Sequence, residues 1–245
     1  MLKKLDILFE DDFLLAVNKP AGTLSQKSLD PKRHTVEDLL LKQRPELKVF
    51  LHHRLDKETT GVFLFSKSKD INSNLTNMFR NHHFTKIYWC LSSPHKLMIN
   101  NKVKSIKAGP LVHNEDHWII RNYMAPSKGL SNSNSKSKIT RMISVNSGGL
   151  PAETEFRTLK KFSSYYLIEA KPKTGRTHQI RQHLQESDRS LIGDELYGGL
   201  PDSLFPRFML HAYELEFEHP KKKEPLIIRA PLPEDFKKLI SPQGD

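Results

Sequence analysis

The sequence predicts an α+β fold around a central mixed, mostly antiparallel sheet flanked by helices and loops. Strand-like segments come in runs: Lys138–Val145, Ala152–Leu159 and Tyr165–Lys173 follow one another with no helical pattern between them. Such runs favour antiparallel pairing, whereas a doubly wound parallel sheet alternates strand with helix. LHAYELEFEHP, from Leu210, alternates apolar and polar residues with the two-residue period of a strand. Helical spacing is confined to short segments. The 245 residues suffice for one large domain or two small ones.

The elements follow in order. DILFEDDFLLAVNKPAG reads as two short strands around an acidic turn at Glu10–Asp12, ended by Pro20 and Gly22. Thr35 is a good N-cap for a helix through Val36–Leu41. Val62–Phe65 reads as a strand. Asp70–Arg80 has helical spacing, with Ile71, Leu75, Met78 and Phe79 apolar. Phe84–Ser92 is rich in aromatic and branched residues and reads as a strand. Ser127–Lys138 is a low-complexity run of Ser, Asn and Lys, expected to be a flexible polar loop. After the three successive strands, Thr177 is placed to N-cap a helix whose Ile180 and Leu184 point inward. LIIRAPLP reads as a further strand, and Pro233–Glu234 begin a short terminal helix.

Charge narrows the partners. Lys plus Arg is 39 against 28 for Asp plus Glu, a net +11. That balance suits a polyanion, nucleic acid first and an anionic membrane surface second; the bland alternative is a basic protein with neither partner. Apolar content of 37% is too high for a disordered chain. Cys90 is the only cysteine, which excludes an internal disulfide and a cysteine-based zinc centre. The first residues lack the apolar stretch of a signal peptide, and no segment approaches the ~18 apolar residues of a membrane span. The expectation is a cytoplasmic protein.

Three clusters can carry chemistry. In HHRLDKETTGVFLFSKS (His52–Ser68), Asp56 stands beside Arg54 and before a hydroxyl-rich turn and a strand. An isolated Asp commonly starts a turn and bonds backbone N–H groups. A carboxylate kept ionised by a neighbouring cation is also a usable nucleophile. In TGRTHQIR (Thr174–Arg181), Arg176 and Arg181 bracket a helix start, where they are solvated cations or meet a phosphate or a carboxylate such as Asp56. Tyr88 lies on the strand face opposite Ile87 and Trp89, either as a core residue or as a base-stacking platform with a phenol for proton work. The adjacent pairs His52–His53 and His82–His83 point to opposite faces of an extended chain, so neither is a two-ligand metal unit. HExxH and a glycine-rich phosphate loop are both missing from the sequence.

Together these segments resemble the RluA-type family of RNA pseudouridine synthases. The matching pieces are VNKPAG (Val17–Gly22), HRLDKETTG (His53–Gly61), KIYWC (Lys86–Cys90), TGRTHQIRQH (Thr174–His183), IGDELYGG (Ile192–Gly199) and LHAYELEF (Leu210–Phe217). They occur in the family's order, and the pairing of HRLD plus a Thr-Gly with TGRTHQIR far downstream is highly specific. The family more often has Thr-Ser-Gly where this chain has Thr59-Thr60-Gly61, a change that keeps the hydroxyl.

The resemblance implies the pseudouridine-synthase fold as a single catalytic domain over residues 1–245. VNKPAG begins at residue 17, which leaves no room for the N-terminal RNA-binding domain of many relatives. It implies an enzyme that isomerises specific uridines in tRNA or rRNA, as a monomer, without cofactor or metal. Asp56 matches the catalytic nucleophile, Tyr88 the tyrosine lining the flipped base, and Arg181 the basic residue paired with the aspartate. Arg54 matches the arginine that enters the RNA where the base has left, and Leu210 an apolar wall of the base pocket. Lys19 and Arg176 are expected to meet phosphates as surface cations, and Gly61 to allow close backbone approach. A binding protein of the same fold that has lost catalysis is the alternative. The intact Asp56, Tyr88 and Arg181 set argues against it.

Overall fold

The computed structural model describes residues 4–27, 33–93, 111–114, 116–127, 141–198, 205 and 207–241, with the backbone alone for 111–114. The polar loop expected at Ser127–Lys138 lies outside the described residues apart from Ser127. The chain forms two compact units, Met1–Trp89 with Leu210–Asp245, and Cys90–Met209. It passes from the first to the second within one strand.

The first unit opens with β1 (Asp6–Glu10) and β2 (Leu14–Lys19), an antiparallel pair. Their turn is held by Asp11, whose Oδ1 accepts the N–H groups of Phe13 (2.9 Å) and Leu14 (2.8 Å). This is the local bond that makes Asp a turn former. Helix α1 (Val36–Gln43) starts at Thr35, which shares a reciprocal capping box with Asp38. β3 (Phe50–Leu51) and β4 (Thr60–Ser66) follow, then α2 (Asn72–Arg80) after a single tight turn, and β5 (Thr85–Ser92) leaves the unit.

β2 pairs with β4 from Leu14↔Ser66 to Lys19↔Gly61. Both strands are buried on both faces, which explains their nearly continuous apolar sequence. Leu14, Ala16, Val62 and Leu64 pack with Ile71, Leu75 and Met78 of the α2 segment. Leu15, Val17, Phe63 and Phe65 pack on the other side with Val36, Leu39 and Leu40 of α1.

The second unit is an antiparallel sheet of β6 (Leu111–Asn114), β7 (His117–Pro126), β8 (Met142–Val145), β9 (Leu150–Lys161) and β10 (Tyr166–Pro172). β7 pairs with β9, and β9 with β10; β6 and β8 sit along the other edge of β7. Helix α3 (Gln179–Glu186) buries Ile180 and Leu184, as its sequence spacing predicts. β7, like β3 and β6, is a strand that the sequence pattern does not announce. Its inward positions are Trp118, Ile120, Asn122 and Met124, and a buried Asn breaks the apolar alternation while Tyr123 is exposed on the other face.

The chain returns to the first unit through β11 (Leu210–Glu218), β12 (Pro225–Arg229) and α4 (Glu234–Ile240). β11 pairs antiparallel with β12 and parallel with β4 at His211↔Thr60 and Ala212↔Gly61, so the sheet is mixed. Gly61 has φ +111°, and a Cβ there would lie 2.1 Å from the carbonyl oxygen of Ala212. Only glycine permits that approach.

Candidate active site

In the first unit, the segment from His52 to Thr59 is irregular yet fastened at nearly every residue. His52 meets Ser66 Oγ through Nε2 (2.8 Å) and Thr76 Oγ1 through Nδ1 (3.0 Å). The His53 ring stacks on Phe79 (4.9 Å, 11°) and contacts Phe63 (4.6 Å). Its Nε2 accepts the Leu64 N–H at 2.9 Å. Desolvation holds its pKa down at about 3, so the ring is neutral, as an accepting nitrogen must be. The two adjacent histidines thus have separate structural partners. Among the described residues no group of three or more metal-ligating side chains converges.

Arg54 is exposed, Leu55 is buried and Asp56 is half-buried. The Leu55 N–H and C=O both bond Ser25 Oγ, at 2.9 and 2.6 Å. The chain then turns, with Thr59 N–H donating to Asp56 O (3.1 Å) and Gly22 N–H to Lys57 O (3.0 Å).

Lys19 corrects the sequence expectation. It is 0% exposed, and its Nζ donates to the carbonyls of Thr59 (2.8 Å), Lys57 (2.9 Å) and Pro20 (3.2 Å). An ammonium leaves water only when other dipoles solvate it, and here three carbonyls do so. Lys19 is therefore not a surface cation awaiting phosphate. It ties down the turn that follows Asp56.

Thr60 Oγ1 lies 2.8 Å from His211 Nδ1, and His211 Nε2 lies 3.3 Å from the Ala230 carbonyl. The carbonyl can only accept, so Nε2 carries the proton and Thr60 donates to Nδ1. Leu210, just before it, is buried. Tyr88 is half-buried on β5 and packs beside the α1-side core. Burial, and then the negative charge of Asp56, pushes its phenol pKa well up. The Asp56 charge thus acts on the Tyr88 phenol.

In the second unit, the TGRTHQIR segment starts α3 differently from the expected cap. The N-cap is His178, in the left-handed region at φ 53°, and Thr177 is exposed outside the helix. No side chain caps the helix; Gln179 instead fastens the segment before it to β9. Its Oε1 accepts from Arg176 N–H (2.9 Å) and the Thr174 hydroxyl (2.7 Å), while its Nε2 donates to Glu153 O and Thr154 Oγ1, both at 2.9 Å. Arg176 is half-buried, and its Nε donates to Pro151 O at 2.9 Å.

Arg181 is not a solvated cation. It is 6% exposed and meets Asp194 with two prongs, Nε to Oδ2 at 2.7 Å and Nη2 to Oδ1 at 2.8 Å. Its guanidinium also lies over the rings of Phe208 (4.3 Å) and Tyr197 (5.0 Å). Bidentate pairing plus ring stacking suits arginine and no other cation. Gly193, just before Asp194, has φ +76°, and a Cβ there would fall 2.2 Å from the Arg207 carbonyl oxygen. Tyr197 is fully buried, its hydroxyl bonded to both the N–H (2.8 Å) and the C=O (3.3 Å) of Met142. Burial pushes its pKa up to about 12.

Sequence reasoning gave no role to Ser25, Asp194, Tyr197 or Phe208. The signal for Asp194 and Tyr197 was present, since both lie in the IGDELYGG segment that the resemblance includes.

These two arrangements, a fastened carboxylate-bearing loop and a caged arginine, sit on a fold shared with solved structures. The structure resembles human RNA pseudouridylate synthase domain containing 1, with a TM-score of 0.71 over 95% of this chain and 85% of that one at 22% identity. It also resembles human RNA pseudouridylate synthase domain containing 4, with a TM-score of 0.67 over 94% and 90% at 23% identity. The RNA pseudouridylate synthase family model matches residues 13–186. The chain therefore belongs to the RNA pseudouridylate synthase family, and it is an isomerase of the RluA type. Its curated relatives include tRNA pseudouridine synthase C of Vibrio cholerae, 35% identical over 98% of this chain and 96% of the relative. Ribosomal large subunit pseudouridine synthase C of Vibrio vulnificus is 33% identical over 96% of this chain and 68% of the relative. No described helix is long and apolar enough to cross a membrane.

Proposed function

We propose that this protein converts specific uridines of tRNA or rRNA to pseudouridine, acting as a monomer in the cytoplasm, with Asp56 as the nucleophile. Chemistry on a stacked base requires that the base be extruded. The exposed Arg54 enters the space the base leaves. Tyr88 lines the flipped uracil and presents a neutral hydroxyl. Arg181 supplies the cation that the motif resemblance pairs with Asp56, and Leu210 an apolar wall for the base. The bond from the sugar to uracil N1 is exchanged for one to C5, the proton on C5 passes to solvent, and N1 takes up a proton from solvent in its place.

The observation that carries this reading is the setting of Asp56. Asp56 is half-buried, its loop is held by Ser25, Lys19 and His53, and its charge acts on Tyr88. A nucleophile held at a fixed place avoids most of the entropy cost of reaction.

The test uses tRNA and rRNA labelled with tritium at uracil C5, each incubated with the protein without added metal. Tritium release from one RNA class is expected and names the substrate class. Failure to release tritium from either would contradict the reading.

A further inference from the structure

We infer that Ser25 is a positioning residue for the reaction: its hydroxyl fixes Leu55 and thereby aims Arg54 and Asp56, the two residues on either side. This rests on the reading of Asp56 as nucleophile.

The geometry is unusual in its economy. Ser25 is 7% exposed, and its single oxygen donates to Leu55 O (2.6 Å) and accepts from Leu55 N–H (2.9 Å). Both backbone polar groups of one residue are thus satisfied by one side chain, thirty positions away in sequence. The Leu55 side chain is buried with Val36, Leu40 and Phe63. Leu55 is therefore held at its N–H, its C=O and its side chain.

A clamp is only as rigid as what carries it, and Ser25 is itself well mounted. Its neighbour Leu24 donates its N–H to His34 O (3.3 Å) and accepts from Val36 N–H (2.9 Å), at the start of α1. Gly22 bonds Lys57 on the far side of Asp56. The Ser25 segment is joined to the first turn of a capped helix and reaches the Asp56 loop from there.

Rotation about Leu55 would swing Arg54 and Asp56 together. Without the hydroxyl, the Leu55 N–H and C=O would be left without partners in a buried place, and the loop would shift to regain hydrogen bonds. A misplacement of about 1 Å costs roughly 100-fold in rate. RNA affinity depends mainly on phosphate contacts, which a buried serine does not make.

The experiment compares wild type, Ser25→Ala, Ser25→Thr and Asp56→Asn on C5-tritiated substrate RNA at saturating enzyme. Single-turnover rate, RNA affinity and melting temperature are measured, with hydrogen exchange of the Leu55 amide. Ser25→Ala is expected to slow turnover by about 10- to 100-fold. Its RNA affinity should stay close to wild type, and its Leu55 amide should exchange faster. Ser25→Thr retains a hydroxyl and is expected to recover most of the rate. The inference is overturned if Ser25→Ala turns over like wild type, if rate and affinity fall together, or if threonine is as slow as alanine. An unfolded Ser25→Ala protein would overturn it too, because the hydroxyl would then serve the fold at large. Asp56→Asn separates the two claims. If it stays active, the nucleophile assignment fails; if it is dead while Ser25→Ala is fast, only the positioning role fails.

Discussion

Asp56 and Arg181 are held by opposite means. Asp56 sits on a loop gripped through its backbone by Ser25 at Leu55 and by Lys19 at the carbonyls of Lys57 and Thr59, and pinned to β4 by the His53 ring, which accepts the Leu64 N–H. Asp56 itself stays half-exposed. Arg181 sits on a helix and is gripped at its guanidinium, by Asp194 and the rings of Tyr197 and Phe208. The difference follows from the tasks proposed for them. A nucleophile that must form a bond is steadied from behind, through the main chain, so that its reacting atoms remain available. A cation that acts by its charge can be caged by its own side chain.

This contrast can be broken at several points. The largest stability effect is expected from Asp194→Ala, which takes the carboxylate from a buried guanidinium. Removing one member of a buried pair costs about 3–5 kcal/mol, read as a shift in urea unfolding. A loss below about 1 kcal/mol, the range of exposed pairs, would mean that the cage is not closed to water. Next comes Lys19→Met, which leaves three carbonyls without their donor. About 2–4 kcal/mol of stability should be lost, at one to three for each group that finds no new partner. The dependence of RNA affinity on salt should stay as in wild type, because Lys19 meets no phosphate. A flatter salt dependence would restore Lys19 to the RNA surface.

Acid sharpens the comparison because each unit holds a histidine that burial keeps strongly neutral. His53 in the first unit and His183 in the second both have pKa values lowered to about 3 by desolvation. The unfolded chain takes up these protons near pH 6.5 and the folded protein does not. Stability is therefore complete above pH 6.5 and falls as pH drops toward 3, by about 1.4 kcal/mol per pH unit for each histidine. Unfolding curves from pH 7 to pH 5 check the slope, and His53→Gln should remove about half of it. A flat profile would mean that the histidines are not held neutral. The smallest effect is expected from Arg176→Ala. It should weaken RNA binding modestly and reduce the slope of log affinity against log salt by about 0.7–0.9, the worth of one phosphate contact.

Much of this was legible in the sequence. Period-two alternation located β11, the run of strand-like segments located β9 and β10, and Thr35 announced α1, because local chemistry decides those elements. The paired motifs around Asp56 and Arg181 pointed to the family. Other features depended on distant neighbours. Lys19 reads as a surface cation because nothing near it in sequence reveals that two carbonyls of the Asp56 turn, those of Lys57 and Thr59, join the carbonyl of Pro20 in solvating it. Thr177 reads as a cap because the fold-back of Gln179 cannot be seen in spacing. Asn122 hides β7, since its burial is justified by Gln182, Glu186 and His183 of α3, some sixty residues on. Ser25 looks like any loop serine until its oxygen is found closed on Leu55.

The central claim is that Asp56 performs the chemistry and the rest of the loop only presents it. Asp56→Asn keeps shape and hydrogen-bonding capacity while removing the nucleophilic charge. Its single-turnover isomerisation rate and its RNA affinity, measured side by side on one substrate RNA, test that claim most directly. The account predicts no detectable isomerisation with RNA affinity close to that of wild type. Isomerisation at an appreciable fraction of the wild-type rate would contradict it.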